Sequence, residues 1–275
     1  MTAILRKMQA SISANIDTPV SYKFSIGEQQ IPLNETLGKT LQLKFTGDIF
    51  CIHCNRKTKK SFSQGYCYPC FKKLAQCDMC ILKPETCHFD KGTCREPDWA
   101  EKFCMQKHTV YLSNSSGLKV GITRNTQIPT RWIDQGAIQA LPIFQLGNRL
   151  HSGLVEILLA EHVADKTNWR TMLKGDIPEL DLELERDNLI DACEAELEKI
   201  WEELEDFSLE PLETEKPISL IYPVLEYPKK IISHNVEKNP LIEGTLLGIK
   251  GQYLILDSGV INIRKHTGYD VSLTI

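Results

Sequence analysis

Apolar and polar residues alternate in two stretches near the start of the chain, residues 22–26 (YKFSI) and 41–47 (LQLKFTG). A period of two predicts half-buried strands. Residues 108–113 (HTVYLS) and 118–123 (LKVGIT) are two more short β-type runs, and Asn114-Ser115-Ser116-Gly117 between them predicts a hairpin. Pro129 predicts the start of a helix through Arg131, Trp132 and Ile133, which Gly136 ends. Residues 138–146 (IQALPIFQL) then read as a third strand. From Ser152 to Ala164, Leu154, Ile157 and Leu158 fall at helical spacing. Over 187–206 the residues Leu189, Cys193, Leu197, Ile200, Trp201 and Leu204 form one stripe, with acids on the other faces. That pattern predicts an amphipathic helix with Cys193 in its core face. Residues around Pro211–Pro217 read as a linker, and 218–227, 244–252, 253–259 and 260–264 return to strand patterns.

The elements together predict an α+β chain. An N-terminal β segment covers 1–50, a cysteine-rich module 51–104, and an α/β core 105–210 with an acidic C-terminal helix. A small β domain or barrel covers 217–275, and the β segments at the two ends are able to close on each other. Of the 275 residues, 42% are hydrophobic and 25% charged, as in globular proteins with a real core. The chain has no run of about 18 apolar residues and its first residues do not read as a signal peptide, so a cytoplasmic location without membrane contact is expected.

The net charge of −4 conceals an asymmetry. Residues 51–73 hold Arg56, Lys57, Lys59, Lys60, Lys72 and Lys73 and no acid, whereas 176–215 hold 17 acids against Arg186 and Lys199. A basic segment of this kind is a candidate nucleic-acid footprint, and the acidic helix a candidate surface for a basic protein partner.

Nine of the ten cysteines lie between Cys51 and Cys104. Clustering in one segment of a long chain favours metal over a disulfide framework. Cys51-Ile-His-Cys54 and Cys67-Tyr-Pro-Cys70 are two C-x2-C knuckles with twelve residues between them, a spacing that closes a tetrahedral thiolate shell. His53 inside the first knuckle reads as exposed. A second shell is expected from Cys77, Cys80, Cys87 and Cys94, with Cys104, His108 and His88 as alternative ligands. Zinc is the expected ion at both, an iron–sulfur cluster being the alternative. Closed four-ligand shells imply structural metals.

His108-Thr-Val-Tyr111 followed by Lys119-Val-Gly121-Ile-Thr123 resembles the paired strand motifs of the GIY-YIG nuclease superfamily, over about residues 108–172. The resemblance implies a strand–strand–helix–strand–helix core and Mg²⁺- or Mn²⁺-dependent phosphodiester cleavage. By it, Tyr111 would help activate the nucleophile, Arg131 bind phosphate, Glu156 hold the metal, and Asn168 support the phosphate or its loop. Lys119 stands where the family has a second tyrosine and would supply a phosphate-binding charge, while Gly121 would let the backbone pass close to the site. The whole arrangement also resembles an uncharacterised bacterial family with a cysteine-rich front. Val110–Leu112, Lys119–Arg124, Arg131–Ala137 and Thr167–Arg170 carry that likeness, which implies no activity. Three functions follow as expectations: a zinc-containing endonuclease, a non-catalytic DNA- or RNA-binding protein, or a zinc-stapled adaptor. Arg56, Lys57, Lys59, Lys60 and Arg124 are the expected nucleic-acid contacts.

Overall fold

The computed structural model describes residues 2–13, 17–26, 29–163, 168–203 and 209–275. Strands β1 (Thr2–Ile4), β2 (Gln9–Ser11), β3 (Ser21–Ile26), β4 (Gln29–Pro32) and β5 (Thr40–Phe50) come first. The cysteine-rich segment carries only a short strand, β6 (Lys57–Thr58), and two short helices, α1 (Tyr68–Lys73) and α2 (Pro97–Phe103), joined by 3-10 turns. Then follow β7 (His108–Asn114), β8 (Leu118–Arg124), α3 (Thr130–Asp134), β9 (Gln139–Leu146) and α4 (Arg149–Ala160). Three helices, α5 (Trp169–Lys174), α6 (Leu182–Ala192) and α7 (Glu194–Glu203), precede the short strands β10 (Glu210–Pro211) and β11 (Ile218–Ser219). The chain ends in β12 (Leu241–Lys250), β13 (Tyr253–Leu256), β14 (Gly259–Asn262) and β15 (Tyr269–Thr274).

These strands form three sheets in a mixed α and β architecture. The largest runs β1-β15-β5-β12-β13-β14, with β6 added to β5, so both ends of the chain share one sheet. The second runs β10-β9-β7-β8, with β11 also on β9. Sheet β2-β3-β4 is the third.

The hairpin sheet is covered on both faces. Because strand side chains alternate, Tyr111 joins Trp132, Leu43 and Ile249 in one cluster, while its neighbours Val110 and Leu112 join Val155, Leu159, Leu189 and Cys193 in another. All seven residues of β7 are buried, as a strand with two covered faces requires. None of the three hydrophobic clusters takes a described residue from 51–107, so the cysteine segment has little apolar core of its own.

Four expectations change. The helix expected over 187–206 is two helices, α6 and α7, divided at Cys193, whose φ of −115 and ψ of 9 leave the helical region. Cys193 is buried, as its stripe implies, but Trp201 is 52% exposed. Leu204 and the last residues of that stretch lie outside the described residues, as do Ala164 and Thr167. The helix expected from Ser152 starts earlier, at Arg149, because Asn148 caps it by accepting the His151 N–H at 2.9 Å. Of 218–227, only Ile218–Ser219 is a strand; Pro223 has no N–H to give a ladder, and Tyr222 instead donates its hydroxyl to Ala137 O at 2.7 Å.

Lys250 is fully buried and its Nζ has no hydrogen-bond partner. It sits 5.3 Å from the Tyr222 ring and 5.5 Å from the Tyr227 ring. Burial lowers its pKa from the usual lysine value to about 8. A folded-state pKa below the unfolded one is a penalty, present in full below pH 8 and lost as pH rises toward 10.5. Lys250→Met removes that charge and keeps the stem. Urea unfolding at pH 7 should show it more stable than wild type by about 2 kcal/mol, cation–π contact offsetting part of the penalty, and the gap should narrow by pH 10.

Candidate metal centre and cationic cleft

Cys51 follows β5 directly, and the first knuckle turns back so that the Asn55 N–H donates to Cys51 O at 2.9 Å. Asn55 has φ 55, the left-handed geometry that asparagine tolerates. The second knuckle is the start of α1, with Cys67 as N-cap and Pro69 in the first turn. Between them Gly65 has φ 135, and a Cβ there would lie 2.7 Å from Ile52 Cδ1, so only glycine closes this loop. The four sulfurs of Cys51, Cys54, Cys67 and Cys70 lie within 4.8 Å of one another, with Cys54 Sγ and Cys67 Sγ 3.7 Å apart.

These four cysteines could hold a zinc ion. Burial pushes the Cys51 thiol up, but the N–H groups of Cys54, Cys67 and His53 outweigh it and draw its pKa down to about 6. Backbone donors aimed at a sulfur stabilise the thiolate that metal ligation needs. Cys70 is pushed the other way by burial and by the neighbouring thiols, as expected when one site must share protons without a cation. His53 is exposed. Cys77 lies apart from Cys80: its thiol pairs with the Ser63 side chain and has Cys51, Arg95 and Glu96 as charged neighbours. Of the second shell expected from Cys77, Cys80, Cys87 and Cys94, only Cys80 falls in a group of donor atoms close enough to hold one ion. Nearby, donor atoms of Asp78, Cys80 and His88 lie within 4.8 Å of one another.

A cleft of about 350 Å³ opens along the edge strand β8. Lys7, Arg124, Arg131, Arg149 and Arg264 line it, against the carboxylates Asp134 and Glu156. Each cation arrives from a different element. Arg124 ends β8, Arg131 lies on α3, Arg149 opens α4, and Arg264 sits on the turn after β14. Arg149 and Glu156 are seven residues apart on α4, two turns along one face. Gly153 between them allows the 84–86 turn close, since a Cβ there would lie 2.4 Å from Pro84 Cβ.

Asp134 receives Lys7 Nζ at 2.9 Å and Gln252 Nε2 at 2.8 Å, with Arg264 Nη1 at 3.8 Å. Arg149 Nη2 donates to Ile81 O at 2.7 Å, but its Nε has no partner. Arg124 stacks over Phe103 at 4.8 Å. Burial lowers the pKa of Arg149 and of Arg264, and in both Arg131 adds like-charge repulsion. Cations that repel one another in a partly buried cleft favour an anion between them.

Arg124, Arg131 and Glu156 all line this cleft. Tyr111 is buried behind them: its hydroxyl donates to Gln135 Oε1 at 2.9 Å, next to Arg131, and Gly121 leaves the space it fills. Lys119 and Asn168 are not among the residues lining the cleft. Lys119 and Arg124 stand near opposite ends of β8, roughly 16 Å apart at strand rise. Asn168 instead caps α5, accepting the Arg170 N–H at 3.1 Å, and its own N–H donates to Ser116 Oγ at 2.9 Å. His108 faces Gln106 O at 2.6 Å, and burial lowers its pKa to about 4. Sequence reasoning missed Lys7, Arg149 and Arg264; only the position of Arg149 two turns before Glu156 was a readable signal.

The basic loop reaches the cleft rim through Gln64, whose Oε1 accepts Arg264 Nε at 2.6 Å. Arg56, Lys57, Lys59 and Lys60 are exposed, and Lys57 pairs with Asp48 at 2.6 Å. No helix among the described residues is long and apolar enough to cross a membrane.

Cys67→Ser should remove one zinc per chain, measured by plasma mass spectrometry. Amides of 51–67 should then exchange about tenfold faster or more, since an ion closed by four thiolates would hold both ends of the loop. An unchanged zinc content would remove the site.

Comparison with curated proteins and with solved structures returned no match. A family model described as "Protein of unknown function (DUF2797)" matches residues 38–271, and the chain belongs to that family.

Proposed function

We propose that this protein binds nucleic acid, gripping the phosphate backbone in the cleft along β8 and steering it with the basic knuckle loop. The observation that carries the reading is the convergence of Arg124, Arg131, Arg149 and Arg264 on one cleft. Asp134 is already engaged by Lys7 and Gln252, so the cleft keeps a surplus of positive charge. Guanidinium groups match phosphate geometry better than ammonium groups do. The Gln64–Arg264 contact ties the loop between the knuckles to the cleft rim.

A second reading, phosphodiester hydrolysis, is favoured by the closeness of Glu156, Arg131 and the Tyr111 hydroxyl. Glu156 is the cleft carboxylate on α4, and one carboxylate plus substrate phosphates is a donor set that suits Mg²⁺. Such an ion would polarise the phosphate. Arg131 would hold the phosphate and stabilise charge developing on it. Tyr111, buried behind the cleft and held by Gln135, would act only by positioning Arg131.

Fluorescence anisotropy with labelled DNA and RNA tests the first reading. Affinity should fall steeply with salt, and Arg131→Ala should weaken binding about tenfold to a hundredfold and flatten the salt slope by about one contact. Salt-insensitive binding, or an Arg131→Ala protein that binds like wild type, would sink it. For hydrolysis, Glu156→Gln should retain binding and lose cleavage by about a hundredfold or more. Binding without any cleavage by wild type in Mg²⁺ or Mn²⁺ would leave a phosphate-recognition protein.

A further inference from the structure

Residues 78–95 bring a carboxylate, a thiol and an imidazole together. The donor atoms of Asp78, Cys80 and His88 all lie within 4.8 Å of one another. Asp78 opens the 79–81 turn, its Oδ1 accepting the Met79 N–H at 2.7 Å. Arg95 anchors the same carboxylate, donating Nε to Oδ2 at 2.7 Å and Nη1 to the Phe71 and Leu74 carbonyls at 3.2 and 3.3 Å. The imidazole is set through its other nitrogen. Thr93 Oγ1 donates its one hydrogen to His88 O at 3.3 Å, so at 2.8 Å it accepts from His88 Nδ1–H. That tautomer leaves a bare lone pair on Nε2, which stands 3.4 Å from Asp78 Oδ2.

We propose that Asp78, Cys80 and His88 hold a second zinc ion through Oδ2, Sγ and Nε2. Two lone pairs facing each other across a short gap call for a cation between them. The gap has the right size: ligand atoms about 2.1 Å from a tetrahedral ion stand roughly 3.4 Å apart. Thiolate, imidazole and carboxylate are all zinc ligands. Oδ2 keeps a lone pair beyond the one that Arg95 takes. Thr93 on Nδ1 and Arg95 on the carboxylate are outer contacts of the kind that orient metal ligands. One thiolate and one carboxylate balance the double charge of the ion.

The rival occupant is a proton. A hydrogen on Nε2 would make His88 and Asp78 an ion pair, but 3.4 Å is longer than the distance of about 2.7–2.9 Å usual for such a bond. An ion pair also gives the Cys80 thiol no role. Three protein ligands leave the fourth tetrahedral position to water or a small anion from solvent, unlike the closed shell of Cys51, Cys54, Cys67 and Cys70. The side chains of His88 and Asp78 are 27% and 12% exposed, so solvent reaches the group. The site stands whether or not the cleft binds nucleic acid. Its consequence there is mechanical: Ile81, next to Cys80, holds Arg149 Nη2 at 2.7 Å, and the ion would brace that turn.

Zinc content of full-length chains tests the assignment. Wild type should hold two zinc ions, Cys80→Ser and His88→Ala one, and Cys94→Ser two. A zinc content that His88→Ala leaves unchanged would overturn it and leave His88 and Asp78 as an ion pair. Loss of a zinc in Cys94→Ser would overturn it in favour of a sulfur-rich shell. X-ray absorption at the zinc edge of wild type needs no variant to fold. Sulfur near ~2.3 Å together with nitrogen and oxygen near ~2.0–2.1 Å supports the proposal. Sulfur alone around the zinc would overturn it.

Discussion

A carboxylate taken out of water must be met by donors or cations, and Asp134 meets both. Its side chain is 5% exposed. Lys7 comes from the N-terminal strands, Gln252 from the β12–β13 turn, and Arg264 from the turn after β14. Gln252 also exchanges hydrogen bonds with the Met8 backbone at 2.8 and 3.0 Å, locking the N-terminal segment to the C-terminal sheet. Removing the carboxylate would leave Gln252 short of an acceptor and Arg264 without its opposite charge, the costly side of a buried pair. One residue on a short helix therefore fixes how the hairpin sheet sits against the large sheet. It also sets where Arg131, three residues earlier, meets the cleft.

The cleft depends on close approaches as much as on charge. Tyr111 lies under β8 only because Gly121 has no side chain; a Cβ there would lie 2.7 Å from the tyrosine hydroxyl. Tyr111 also meets Trp132 edge-on, with ring centroids 5.8 Å apart, which seats α3 on the sheet. Collecting cations costs electrostatic energy in the free protein. Asp134, Gln64 and the Ile81 carbonyl offset part of it through directed hydrogen bonds. An incoming anion would offset more, so the same arrangement that opposes folding favours binding.

The cysteine segment solves a different problem. It spans more than fifty residues yet adds no residue to the hydrophobic clusters of the described chain. A segment with so little apolar burial is ordered by cross-links or metal rather than by a core. Its knuckles are tied to the large sheet through β6 on β5, and its later turns to α4 through Pro84 and Gly153. The cysteine segment and the shape of the cleft are thus mechanically linked through these contacts.

Much of this was legible in the chain alone. C-x2-C spacing is a local property, so Cys51, Cys54, Cys67 and Cys70 could be read directly as one shell. Alternation and turn chemistry fixed β7, β8 and β9, and Pro129 and Gly136 bounded α3, because these signals act within a few residues. Arg131 and Glu156 were paired in the sequence only through the family resemblance, and both line the cleft. What tertiary structure alone decided depends on distance in sequence. No local pattern could bring Lys7, Arg149 and Arg264 to one cleft, move Lys119 and Asn168 away from it, or turn Cys77 toward Ser63. The helix over 187–206 read as continuous because its stripe is periodic, but the backbone leaves the helical region at Cys193, which is buried in the cluster against the hairpin sheet. Short-range stereochemistry wrote the elements and the four-cysteine cluster. The site was set by which buried charge, glycine and sheet face met across the fold.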